Sequence, residues 1–139
     1  MDILKTDSDY GVSRQAVLKM GDVSLLNDIA KNYFNDNIRM EAIRRINNVE
    51  VLFDIAKTDL NSDIRKVAVE RLNENSALTF IAKNDSDMDI RKKAIEKINN
   101  DSLLEHVCEN VSDEHTGQYA VMHINDEAIL TNIAKNNPY

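Results

Sequence analysis

Apolar residues in this chain follow a helical rhythm that restarts at fixed intervals. Ile38, Ala42, Ile43 and Ile46 fall at i, i+4, i+5 and i+8, on one side of a helix. Val51, Leu52, Ile55 and Ala56 form a second such face a few residues later. Asn47 separates the two, and a polar stretch, Asp59-Leu60-Asn61-Ser62-Asp63, follows. The pattern predicts two short helices and a loop. It returns every 26 residues without a gap. Ala16, Ala42, Ala68, Ala94 and Ala120 are in phase, as are Met20, Ile46, Leu72, Ile98 and Ile124. In the second helix, Leu26, Leu52, Leu78, Leu104 and Leu130 align. Ile29, Ile55, Ile81, Val107 and Ile133 follow three residues on.

The polar positions punctuate the same unit. Asn47, Asn73, Asn99 and Asn125 stand between the helices, with Gly21 in that phase of the first unit. Asn and Gly tolerate the left-handed conformation that ends many helices, so a left-handed terminus is expected there. Asp22, Asn48, Asn100 and Asp126 are expected to cap the second helices, and Asp63 or Asp89 the first. Lys31, Lys57, Lys83 and Lys135 fall in last turns, where the helix dipole favours cations. Helices of about ten residues are marginal alone, so stability must come from stacking unit on unit. The expected units are 12–37, 38–63, 64–89, 90–115 and 116–139, forming a single domain over 1–139. They are preceded by a half unit at 1–11, where Asp2-Ile3-Leu4-Lys5 matches Asp54-Ile55-Ala56-Lys57.

Composition narrows the function. The net charge of −7 argues against a general nucleic-acid binder. One cysteine rules out an intrachain disulfide and suits a reducing cytoplasm. The first residues do not read as a signal peptide, and no apolar run reaches the roughly 20 residues of a membrane span.

The strings Asp63-Ile64-Arg65-Lys66-Val67-Ala68 and Asp89-Ile90-Arg91 through Ala94 to Ile98 resemble short HEAT-like repeats of the phycobilisome-lyase type. Asn37-Ile38-Arg39 departs only at the acid. The last unit departs most, with Thr116-Gly117 where Ile-Arg is expected, and the first has Val12-Ser13. The resemblance implies an all-α, right-handed α-solenoid of about five two-helix repeats, and a protein-binding scaffold. The short period also leaves open a leucine-rich-variant solenoid, in which α and 3₁₀ helices alternate.

Apparent chemical motifs are sorted by their phase in the repeat. Basic residues concentrate on first helices and acids in the loops, and Arg39, Arg65 and Arg91 are expected to pair with loop carboxylates. Asp85, Asp87, Asp89 and Glu96 imitate a calcium loop, but its turn glycine is replaced by Ile90. The three histidines and Cys108 cluster between His106 and His123. Their phases place His106 and His123 on opposite surfaces, His115 in a loop, and Cys108 in the small buried position of Ala30, Ala56 and Ala82. No metal, cofactor or catalytic set is therefore expected. The His-Glu pairs of iron-dependent HEAT-like enzymes are also missing.

The outer positions of the second helices vary most, and in HEAT-like solenoids these helices line the concave binding side. Asp28, Phe53, Asp54, Phe80, Glu105 and His106 are the expected partner-binding residues, with Thr79 also exposed. The expected function is a non-enzymatic scaffold for another protein. The alternatives are an acidic regulator of nucleic-acid machinery and a lyase-like or metal-dependent enzyme subunit. End-to-end self-association is also open, since the terminal helices are no more polar than internal ones.

Overall fold

The computed structural model describes residues 10–136. Among these, all regular structure is helical: ten α-helices and no strand. They are α1 (Tyr10–Lys19), α2 (Val23–Asn32), α3 (Asp36–Ile43), α4 (Val49–Thr58), α5 (Ser62–Arg71), α6 (Asn75–Asn84), α7 (Met88–Lys97), α8 (Asp101–Asn110), α9 (Glu114–Val121) and α10 (Glu127–Asn136). First and second helices alike are α, which sets aside the alternation with 3₁₀ helices. The expected half unit at 1–11 lies outside the described residues except for its last two. No described helix is long and apolar enough to cross a membrane.

The chain divides into two compact units, Met1–Arg71 and Leu72–Tyr139. In the first, α1 packs on α3 and α3 on α5, while α2 packs on α3 and α4 on α5. Val17, Ile38, Ala42, Ile43 and Ile46 meet Leu26, Ile29, Leu52 and Ile55 in its core, all nearly inaccessible. In the second, α6 packs on α7 and α8, α9 on α7 and α8, and α10 on α8. Leu72, Leu78, Ile81, Ile90, Ile95, Leu104 and Val107 fill that core. Burying one such side chain stabilises by about 1.5–3 kcal/mol, which carries helices too short to stand alone.

The most extensive pairings in both units join a second helix to the first helix that follows it. The polar loop is therefore the tight corner. It is held by side chains two residues earlier than expected. Asn35 Oδ1 accepts from the backbone N–H groups of Asn37 and Ile38 at 3.0 and 3.3 Å. Asp87 caps α7 in the same way, and Asp113 caps α9 by accepting from the Thr116 N–H alone. Asp63 and Asp89 lie inside the first turn, where they favour the dipole without capping it. Second-helix caps fall where the sequence puts them. Asp22, Asn48 and Asn100 each accept from the N–H three residues on, and Asp126 accepts from Ala128 and Ile129. In the third pair Glu74 caps instead, accepting from Ser76 and Ala77.

The left-handed helix ends do not occur. No described residue, glycine included, has a positive φ. The chain leaves α7 through an extended Ile98 (φ −74°, ψ 119°). The asparagines at these breaks instead bond to neighbouring pairs. Asn47 Oδ1 accepts from Arg71 Nη2 at 2.7 Å, and Asn99 Oδ1 from Asn75 Nδ2 at 2.9 Å. The lysines of the last turns stand as expected.

Arginines at one phase of the first helices brace the loops. Arg39 donates to Asp36 Oδ1 through Nε (3.0 Å) and Nη2 (2.7 Å), and to Asp59 through Nη1 (2.5 Å) and Nη2 (3.2 Å). Asn61 Nδ2 ties the same loops by donating to Asp36 Oδ2 at 2.6 Å. In the second unit Arg91 donates to Asp113 Oδ2 and to Thr116 Oγ1, both at 2.9 Å. Val111 occupies the phase of Asp59 and Asp85 and offers no carboxylate. Asp113 and the fully buried Thr116 supply the missing acceptors. Half of the Thr116-Gly117 departure thus compensates for Val111.

Candidate functional site

The outer faces of the second helices carry the expected partner-binding residues. Each helix is fixed by its buried stripe, Leu52, Ile55 and Ala56 on α4 and Ala77, Leu78, Ile81 and Ala82 on α6. The opposite face is then turned outward by helical geometry.

In the first unit, Asp28 is exposed and its Oδ1 accepts from Asn32 Nδ2 at 3.0 Å. Asp54 Oδ2 accepts from Lys31 Nζ at 2.5 Å, linking α4 to α2. Phe53 is half-buried, with the Lys57 ammonium 5.6 Å from its ring centroid. This is within reach of a cation–π attraction. The unit therefore presents an aromatic edge among alternating charges.

In the second unit, Phe80 is 41% exposed. His106 Nε2 lies 3.2 Å from Lys83 Nζ, and its Nδ1 lies 3.0 Å from Asn110 Nδ2. Glu105 Oε1 accepts from Asn132 Nδ2 at 3.1 Å, joining α10 to α8. Thr79, expected outside, is buried at 8% exposure. Its small side chain is covered, whereas Phe53 at the same phase stays half-buried and Phe80 beside the core Ile81 stays exposed.

The neighbours Lys31 and Lys83 were not among the expected site residues. The sequence does hold a signal for the lysines. Lys31 to Asp54 and Lys83 to His106 are the same step of 23 positions, three short of the repeat. That offset places the end of one second helix beside the middle of the next.

The other clusters resolve into local chemistry. Asp85 Oδ1 accepts from the N–H of Asp87, and Asp87 Oδ1 from that of Asp89, both at 2.8 Å. The calcium-like string is thus a turn followed by a cap. Among the described residues, no group of three or more His, Cys, Asp or Glu side chains is placed to hold a metal ion. His115 lies in the first turn of α9 rather than in a loop. Cys108 is half-buried, whereas Ala30, Ala56 and Ala82 are inaccessible. Burial, and then the charges of Glu109 and Glu105, push its thiol pKa up, away from the reactive thiolate. Several basic residues of the first helices pair with acids on first helices. Arg14 and Arg44 reach Glu41 at 2.9 and 3.3 Å, and Lys93 reaches Glu96 at 3.1 Å.

No family model, curated protein or solved structure matches the chain.

Proposed function

We propose that this chain is a HEAT-like α-solenoid that acts as a non-enzymatic scaffold, binding another protein through the outer face of its second helices. The observation that carries this reading is Phe80. Its ring is 41% exposed on a helix whose opposite face is wholly buried. Core packing does not require an aromatic residue there. An exposed ring beside hydrogen-bonded polar groups is the composition of a protein-binding hot spot. Asp28, Phe53, Asp54, Glu105 and His106 supply the surrounding polar and aromatic contacts in their own units.

The test compares proteins captured from host extract by the unaltered chain and by Phe53→Ala/Phe80→Ala. Circular dichroism first checks that both remain helical. Loss of a specific partner from the folded double variant is expected. An unchanged set of captured proteins would remove this face from consideration.

A further inference from the structure

In the last helix pair, the arginine phase defined by Arg39, Arg65 and Arg91 is occupied by Gly117. The copies show what an arginine does there. Arg65 Nη1 donates to the carbonyl of Asp59 at 3.1 Å. Arg91 Nη1 donates to those of Asp85 and Ser86 at 2.8 and 3.2 Å. These two guanidinium groups satisfy the loop that precedes their own helix, whereas the bonds of Arg39 go to the Asp36 and Asp59 carboxylates. The corresponding carbonyls before α9 belong to Val111 and Ser112, and α9 has no arginine to reach them.

The space is open. A cleft of about 560 Å³ lies there, lined by Cys108, Val111, Asp113, Glu114, Gly117 and Gln118, among others. A Cβ built on Gly117 would sit 3.5 Å from Val111 Cγ2 and 3.6 Å from the Cys108 carbonyl oxygen. A side chain at this position would therefore point into the cleft.

The electrostatics favour a cation. The cleft adjoins the C-terminal turn of α8, whose dipole is negative at that end. Where Lys31, Lys57, Lys83 and Lys135 end other second helices, α8 carries Glu109 and has no basic residue in its last turn. Asp113 uses Oδ2 for its bonds to Arg91 and Thr116. Glu114 accepts one bond, from Gln118 to Oε1. One oxygen of each carboxylate carries none of these bonds.

We propose that this cleft receives an arginine side chain from a partner protein, in the place that Arg65 and Arg91 take in the two preceding repeats. The methylene stem lies against Val111 and Val121. The planar guanidinium donates to the Val111 and Ser112 carbonyls and to Glu114. Arginine suits the site better than lysine, because its fork of donors serves several acceptors at once. The proposal concerns a different surface from the one bearing Phe80 and stands independently of it.

The experiment titrates the isotopically labelled full chain with N-acetyl-arginine N-methylamide, using the lysine analogue as control, and follows amide resonances. Saturable shifts are expected at Val111, Ser112, Gly117 and Gln118, with the lysine analogue about tenfold weaker. Gly117→Arg, which fills the cleft from within, is expected to abolish them. Glu114→Gln, an exposed change that leaves packing alone, is expected to weaken binding severalfold and decides the matter should Gly117→Arg fail to fold. Phe80→Ala should leave the titration unaltered, which separates this site from the second-helix face. An equal response to the lysine analogue would overturn the proposal. So would shifts spread over the other acidic loops, or undiminished binding by folded Gly117→Arg or by Glu114→Gln.

Discussion

At the scale of single residues, charges are used mainly to fasten loops. Arg39 and Asp59 each keep only 11% of their side-chain surface in water. Removing one partner strands the other in a poorly solvated place. Arg39→Ala is expected to lower stability by roughly 3 kcal/mol, the low end for buried pairs because some water remains. Arg39→Lys should recover only part of this, since an ammonium cannot bridge Asp36 and Asp59 as the fork does. Urea unfolding at neutral pH measures both. Asp113 gives a pH signature. The Thr116 hydroxyl, and then the Arg91 guanidinium, hold its carboxyl down from an ordinary 3.8 to about 2. The folded state thus prefers the ionised form. Its stabilisation is complete above about pH 4 and is lost as pH falls towards 2. Asp113→Asn should be less stable than the unaltered chain at pH 6, with the gap closing between pH 4 and 2. Melting temperatures across that range check it, and a gap independent of pH would show that the carboxylate is not the source.

At the scale of elements, the repeat made the helices legible because core phases admit few residue types. Ala42, Ala68, Ala94 and Ala120 are all inaccessible, and each was readable from spacing alone. The helix ends were harder to read. Asn47 suits both a left-handed terminus and a lateral acceptor, and only Arg71, 24 positions away, decides between them. First-helix caps were misplaced by two residues because the loops hold an acid or amide at almost every step. Glu74 is not legible as a cap because its longer side chain is not among the preferred ones. The candidate face was readable as a set of outward positions, but the bonds of Asp54 and His106 to the preceding second helix were not. α9 offers a direct test of a repeat residue replaced. Gly117 has an ordinary helical backbone, and an added Cβ would meet only normal van der Waals contacts. Gly117→Ala is therefore expected to stabilise by about 0.5–1 kcal/mol, read from the shift in urea midpoint. A destabilised variant would mean that the cleft wall cannot accept even a methyl group.

At the scale of the whole molecule, stability rests on neighbours, and each helix is only as protected as the helices packed on it. The second unit shows this most clearly. α8 packs against α6, α9 and α10, and its Leu104 and Val107 are inaccessible. Among the described residues α10 packs appreciably only on α8, and none of its side chains is fully buried. Leu130 and Ile133 repeat the pattern of Leu104 and Val107, yet they are half-buried where those are inaccessible. Equal sequence pattern therefore does not give equal protection; the helices packed against each one do. Amide exchange followed by mass spectrometry should find α10 exchanging at least tenfold faster than α8 under native conditions, since about 1.4 kcal/mol of local stability suffices for that ratio. The helical propensities of the two segments are similar enough that neither explains such a gap alone. Equal protection of α8 and α10 would mean that something beyond the described contacts covers the last helix. In that case Leu130 and Ile133 would be the residues it covers.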